Sequence, residues 1–317
     1  MKISGLSFRG VASLPDLECS FVSTLTGLPH DLVVISGPPA SGKTRLCELM
    51  IAVLETVGPY QGMVRASDWY ADAAVGARAQ MDLWVADAAP GAGALPTRAV
   101  VDFTARGVRS EIDRAAARQL TRYDHDPAHG KREYFPENRQ RAWGAREDGT
   151  APLEQALLRP TKDPQKYSCV PRFLRELRSD EPRRRVFADQ LELISSTVRF
   201  SPAARSADPT ACFTTHAGDR VSYRELSGAE ADAVIIAATA AMIGLNNSVI
   251  FLDRPELYVP PSRLVPWVQA LARMGVGNQW FIASNDDGLV ASVDRGQRIA
   301  LGGGDGLGPS SQARRVS

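Results

Sequence analysis

The sequence predicts an α/β fold, and three observations predict it. Asp31–Ser36 holds a continuous apolar run, as a strand buried on both faces does. It leads into a Gly-rich loop, Gly37–Thr44, from which a segment of helical periodicity departs. Near the other end, Ser248–Asp253 is a second apolar strand that ends in an acid.

The elements follow in order. Ile3–Phe8 and Leu17–Val22 read as two short strands around a Pro-containing turn. After the loop, Leu46, Leu49, Met50, Val53, Leu54 and Val57 set a helix over Thr44–Val57. Gln80–Val85 and Ala99–Phe103 are further strands. Arg106–Leu120 and Val170–Leu177 read as amphipathic helices. Asp124–Pro164 between them is punctuated by Pro and Gly and is expected to be partly irregular. A helix is expected over Gly228–Ile243, and another from Pro266, a residue suited to a first turn, to Met274, with Gly275 as its stop. Gln279–Ser284 is the last strand, and the Gly/Ser/Arg-rich tail from Gly302 is expected to be disordered.

Composition removes several classes. The chain has 317 residues, room for one large or two modest domains. Its net charge of +1 argues against a generally basic nucleic-acid coat or an acidic tail. The first five residues lack the apolar core of a signal peptide. The longest nearly apolar stretch, Ala233–Leu245, is shorter than the roughly 20 residues a bilayer needs, so no membrane insertion is expected. Cys19, Cys47, Cys169 and Cys212 form no CxxC and read as buried thiols of a cytoplasmic protein. Neutrality is an average, since residues 106–185 carry 19 bases and 13 acids. The positive charge is almost all arginine: 32 Arg against 5 Lys.

Gly37-Pro38-Pro39-Ala40-Ser41-Gly42-Lys43-Thr44 fits GxxxxGK[ST] at every fixed position. The spacing lets a loop wrap its backbone N–H groups around a β-phosphate, with glycine supplying the backbone angles. Lys43 would meet the β- and γ-phosphates, the Thr44 hydroxyl would ligate Mg²⁺, and the following helix adds its positive end. The expected nucleotide-binding set is Gly37, Pro38, Ala40, Ser41, Gly42, Lys43 and Thr44, with ATP and Mg²⁺ as ligands.

Ser248–Asp253 is a strand of the Walker B pattern, in which Asp253 would hold Mg²⁺, usually through water, at the carboxyl end of the sheet where nucleotide also sits; read plainly, it is a strand followed by a turn-forming Asp. Arg224–Glu230 contains Leu226-Ser227-Gly228-Ala229-Glu230. Read plainly, Ser227 and Glu230 are a capping box before an apolar helix. The segment also resembles the LSGGQ/E signature of ABC-type ATPases.

Two further segments resemble the OLD- and RecF-like "AAA family" branch of the ABC-class ATPases. Asp253-Arg254-Pro255-Glu256-Leu257-Tyr258-Val259-Pro260-Pro261 resembles their D-E-P-E-L-H-L-H-P, and Gln279–Asp286 their Q-x-I-x-A-T-H-S. Ile3–Gly10 is similar to their opening strand. The resemblance spans both ends of the chain and leaves residues 106–210 uncovered. It implies a P-loop fold of ABC-ATPase type with an N-terminal β-rich subdomain and an inserted helical lobe. The implied boundaries are 1–105 and 211–301 for the two halves of the core, 106–210 for an Arg-rich insertion and 302–317 for the tail. It also implies that Ser227 and Gly228 bond the γ-phosphate held by another subunit.

The family's general base follows the Walker B Asp, and Arg254 stands there. A guanidinium takes no proton from water. The family's switch His aligns with Asn285, which hydrogen-bonds but does not titrate. Glu256 is a candidate displaced base; it could equally cap a turn. The expected function is an ATP-binding head that pairs around ATP·Mg²⁺, as a homodimer or heteromer, and hydrolyses slowly. Two alternatives stand beside it: a hydrolysis-competent ATPase acting on DNA in repair or phage defence, and a non-catalytic scaffold gating a separate effector. Arg172–Arg185 is the stretch that would meet DNA or an effector, if it is not simply a solvated face.

Overall fold

The computed structural model describes residues 1–12, 14–60, 76–86, 94–104, 106–121, 130–139, 141, 160–201 and 212–302. Much of the stretch expected to be partly irregular and the tail beyond Gly302 lie outside the described residues.

In chain order the strands are β1 (Lys2–Arg9), β2 (Leu17–Ser20), β3 (Leu32–Ser36), β4 (Arg78–Ala86), β5 (Ala94–Thr104), β6 (Gly107–Glu111), β7 (Arg132–Phe135), β8 (Val198–Phe200), β9 (Phe213–Thr215), β10 (Arg220–Val221), β11 (Val249–Asp253), β12 (Gln279–Ser284) and β13 (Arg298–Ala300). The helices are α1 (Lys43–Val57), α2 (Arg114–Leu120), α3 (Val170–Glu176), α4 (Glu181–Ile194), α5 (Gly228–Ile243), α6 (Pro261–Leu271) and α7 (Asp287–Ala291).

Three sheets organise them. An antiparallel sheet runs β2-β1-β4-β5-β6, a small one runs β10-β9-β8, and the central sheet runs β13-β3-β12-β11-β7. Every pairing in the central sheet is parallel. Such a sheet needs cover on both faces, and the pleat shows how these residues supply it. Val33, Ile35, Val249, Phe251, Phe281 and Ala283 point into a core shared with α1 and the antiparallel sheet. Their neighbours Val34, Ile250, Leu252, Trp280 and Ile282 point into the opposite core, with α3 to α6. Residues Ala231–Ile243 of α5 are all buried, so this helix is apolar on every side because it is surrounded on every side.

Three expectations need correction. Arg106–Leu120 is not one helix. Its first part is β6, which pairs antiparallel with β5, and the helix begins only at Arg114. Asp113 sets that start, accepting hydrogen bonds from the N–H groups of Ala115 (2.8 Å) and Ala116 (3.1 Å). The stretch expected to be partly irregular contains an unforeseen strand, β7, which pairs with β11 at the edge of the central sheet. The sequence Arg-Glu-Tyr-Phe hides it, because this buried strand carries charges. Arg132 donates to the carbonyls of Gly58 (2.6 Å) and Leu120 (2.9 Å) and lies over the Tyr60 ring; Lys166 pairs with Glu133 (2.8 Å). Strands β6 and β7 thus place parts of residues 106–210 in the two larger sheets. Finally, the helix expected from Pro266 starts at Pro261 and ends at Leu271, with Pro266 inside it. The buried positions Leu264, Val268 and Leu271 keep helical spacing across Pro266.

Candidate nucleotide site at the carboxyl end of the central sheet

In a parallel sheet all carboxyl ends face one way, so the loops after β3, β7, β11 and β12 collect on one rim. The loops after β3, β11 and β12 hold the motif residues.

The loop after β3 has the backbone the motif requires. Gly37, Ala40 and Gly42 have φ of +150°, +64° and +95°. Glycine at 37 is also a matter of space, since a Cβ there would come within 2.3 Å of the Leu301 carbonyl and 2.6 Å of Ser41 Oγ. Gly42 is the N-cap of α1. Lys43 folds back over the loop and donates to the carbonyls of Gly37 (2.7 Å) and Pro38 (2.8 Å). Burial lowers its ammonium below the usual lysine value, opposed by the nearby carboxylates of Glu256 and Asp253. Ser41 Oγ is buried and has no partner among the described residues.

Strand β11 brings Asp253 to the first turn of α1. Thr44 Oγ1 donates to Asp253 Oδ2 at 2.6 Å. Asp253 is fully buried, and burial raises its carboxyl above the usual range against the Thr44 bond. Its Oδ1 has no hydrogen-bond partner among the described residues. A hydroxyl and a carboxylate are hard oxygen donors of the kind Mg²⁺ takes when it shares a nucleotide, and the loop beside them is shaped for phosphate. No group of three or more His, Cys, Asp or Glu among the described residues is placed to hold a metal, so a cage made of protein alone is not offered. The residues present therefore fit Mg²⁺ bound together with phosphate: Thr44 and Asp253 would hold it, and it would supply positive charge for phosphate oxygens.

The residues after Asp253 turn sharply. Arg254 is left-handed, with φ 50° and ψ 59°, and its N–H donates to the Ala283 carbonyl at 2.9 Å. Pro255–Leu257 form a 3₁₀ turn. This turn aims Glu256 at the end of β12, where its carboxylate accepts from Ser284 Oγ (2.9 Å) and from the Asn285 N–H (3.3 Å). The Oδ1 of Asn285 is buried without a partner among the described residues. The structure thus gathers Lys43, Thr44, Asp253, Glu256 and Asn285 on one rim.

The signature-like segment stands apart as an exposed helix start. Ser227, Gly228 and Ala229 are exposed at the head of the 16-residue α5. The capping box is present: Ser227 Oγ accepts from the Glu230 N–H (3.3 Å), and Glu230 accepts from the Ser227 N–H (2.9 Å).

Sequence reasoning missed the loop after β7, which connects these parts. Glu137 pairs with Arg254 at 3.2 Å. Arg139 is fully buried; it pairs with Asp232 of α5 at 2.6 Å and donates to the Asp253 carbonyl, also at 2.6 Å. Arg141 donates to the carbonyls of Tyr223, Arg224 and Leu226, just ahead of Ser227. Lys162 pairs with Glu48, one turn along α1 from Thr44; burial lowers it, against the pull of Asp253. The signal for this loop was Pro136-Glu137 ending a strand, and it was lost with β7.

The Arg-rich stretch is largely engaged within its own helices. Arg172 pairs with Glu176 at 2.8 Å, and Arg184 and Arg185 pair with Glu181. Arg183 lies 5.9 Å from the Phe173 ring centre. Arg175 and Arg178 are exposed. Among the described residues no helix is long and apolar enough to cross a membrane.

No protein-family model and no curated protein matches the chain. Solved structures do. An SmcHead bound to the C-winged helix domain of ScpA is 15% identical, with a TM-score of 0.52, over 95% of this chain and 94% of that one. An Smc head domain with an extended coiled coil, bound to the C-terminal domain of ScpA derived from Pyrococcus furiosus, is 13% identical with a TM-score of 0.52, over 94% and 92%. The likeness is one of fold: the chain shares the α/β architecture of these head domains.

Proposed function

We propose that the protein is an ATP-binding head of ABC type that pairs around ATP·Mg²⁺ and works as a nucleotide-dependent switch with slow hydrolysis. The observation that carries the nucleotide reading is the 2.6 Å contact of Thr44 with Asp253 beneath a loop of left-handed glycines, with one Asp253 oxygen left over. In this reading the loop N–H groups and Lys43 bind phosphates. Lys43 exchanges the carbonyls of Gly37 and Pro38 for phosphate oxygens, a stronger charge-assisted partner.

Pairing rests on the exposed start of α5. A helix N-terminus with a Ser and a Gly at its tip offers donors to an anion brought by another head. Slow turnover rests on Arg254, which removes the carboxylate beside Asp253. The OLD- and RecF-like kinship rests on the segments around Asp253 and Asn285. A faster enzyme is the second reading, favoured by the position of Glu256 beside Ser284 and Asn285.

The test is the mass of the protein in solution by analytical ultracentrifugation, with Mg²⁺ plus ATP, ADP or no nucleotide, beside Lys43→Ala. Doubling with ATP alone, absent in Lys43→Ala, is expected. One unchanged mass under every condition removes the switch.

A further inference from the structure

Arg254 stands where the resembling ATPases carry their general base. Its surroundings give it a positive use. It follows the metal-holding candidate Asp253 directly, on the rim where the loops after β3, β11 and β12 meet. It sits in the left-handed region with φ 50°, which costs a residue with a Cβ about 1 kcal/mol or more and which Gly or Asn would take cheaply. Backbone strain of this kind is kept where a particular side chain is wanted.

The guanidinium is also underused. Its one ion pair among the described residues, to Glu137, is 3.2 Å long, with the two side chains 39% and 45% exposed. Nε is buried and has no partner among the described residues. Glu137 is itself fixed from the other side, since Tyr258 Oη donates to its carbonyl at 3.0 Å. Arg254 also lies close enough to Lys43 to repel it, adding to the burial that lowers that lysine. A second cation at a phosphate loop is costly in the absence of an anion and favourable with one.

We infer that Arg254 is a phosphate-binding residue that exchanges Glu137 for the terminal phosphate of a bound nucleoside triphosphate. The inference rests on the nucleotide-binding reading above. A planar fork matches two phosphate oxygens where a carboxylate would repel them. The position after Asp253 would then serve to tell triphosphate from diphosphate, with Glu137 as the partner that holds Arg254 when no triphosphate is present.

The test is equilibrium binding by titration calorimetry with Mg²⁺, comparing ADP with an ATP analogue that has an imido bridge between its β- and γ-phosphates. Wild type is expected to favour the triphosphate. Arg254→Asn, which keeps a residue at ease with positive φ, is expected to weaken the triphosphate about tenfold and leave ADP unchanged. Glu137→Gln frees the arginine and is expected to tighten the triphosphate several-fold, again without effect on ADP. An unchanged triphosphate-to-diphosphate ratio in Arg254→Asn overturns the inference while leaving the nucleotide reading intact, provided wild type binds and Lys43→Ala does not. Absence of binding by wild type removes both. If melting shows that Arg254→Asn does not fold, Glu137→Gln decides, and an unchanged ratio there overturns the inference. A purely structural Arg254–Glu137 link would shift the melting temperature and leave the ratio alone.

Discussion

Thr44 and Asp253 lie 209 positions apart in the chain and are joined by a 2.6 Å hydrogen bond from hydroxyl to carboxylate. The bond closes the distance between the first turn of α1 and the end of β11. It satisfies only one oxygen of a carboxylate that is fully buried. A buried acid so poorly compensated is a cost to the fold by itself. A cation shared with a nucleotide, as proposed above, would offset that cost.

That cost has a pH signature. Burial holds the Asp253 carboxyl above the usual range. A folded pKa above the unfolded one means that the native state binds the proton more tightly. Stability from this group therefore falls as pH rises from the ordinary carboxylate value to the folded value, and the penalty is complete above it. Asp253→Asn carries no such penalty and keeps an oxygen for Thr44. Without Mg²⁺ or nucleotide at neutral pH it is expected to melt roughly 2 °C above wild type, for a gain of about 1 kcal/mol. The gap should close as pH falls to about 4, and Mg²⁺-dependent nucleotide binding should be lost. Calorimetric melting across pH checks this; a variant less stable than wild type at neutral pH would contradict it.

The two ends of the chain were the legible part. Apolar β3, β11 and β12 announce a buried parallel sheet, and GxxxxGK[ST] fixes the loop between β3 and α1. The capping box of Ser227 and Glu230 was legible because it is a local contact. The loop after β7 was not. Its strand has Arg132 and Glu133 where a core strand carries Val or Ile, and their partners, Gly58, Leu120 and Lys166, are remote in sequence. Likewise the hydrophobic spacing of α6 runs through Pro266, so a local start signal pointed to the wrong turn. The direction of Glu256 depends on the left-handed Arg254, a backbone state that the residue type does not advertise.

The pair Arg139–Asp232 couples this hidden loop to α5, with both side chains essentially fully buried. Arg139 also meets the carbonyls of Phe135 (3.3 Å), Pro136 (2.7 Å) and Asp253 (2.6 Å). Asp232→Ala would leave a buried guanidinium hydrogen-bonded only to neutral carbonyls among the described residues. The expected loss is about 3–5 kcal/mol, read as a lower urea midpoint. The double variant Arg139→Met with Asp232→Leu removes both charges and is expected to recover most of it. A single variant within about 0.5 kcal/mol of wild type would show that water reaches the arginine.

Glu256 is a carboxylate of the rim held against the strand end that carries Asn285. Its two acceptor bonds, to Ser284 Oγ and the Asn285 N–H, hold it in place without taking its capacity to accept a proton. Arg254 occupies the position next to Asp253, so a water activated by Glu256 would have to be placed two steps further round the turn. Wild-type ATP turnover is therefore expected well below about 1 s⁻¹. Glu256→Gln keeps the shape and an acceptor oxygen and removes the basicity; it is expected to lower the residual turnover by about a hundredfold or more while nucleotide affinity stays within about twofold. Single-turnover hydrolysis beside equilibrium binding separates the two effects. Turnover at ordinary ATPase rates that Glu256→Gln abolishes would make this an efficient enzyme with a displaced base. Slow turnover indifferent to Glu256→Gln would move the base elsewhere.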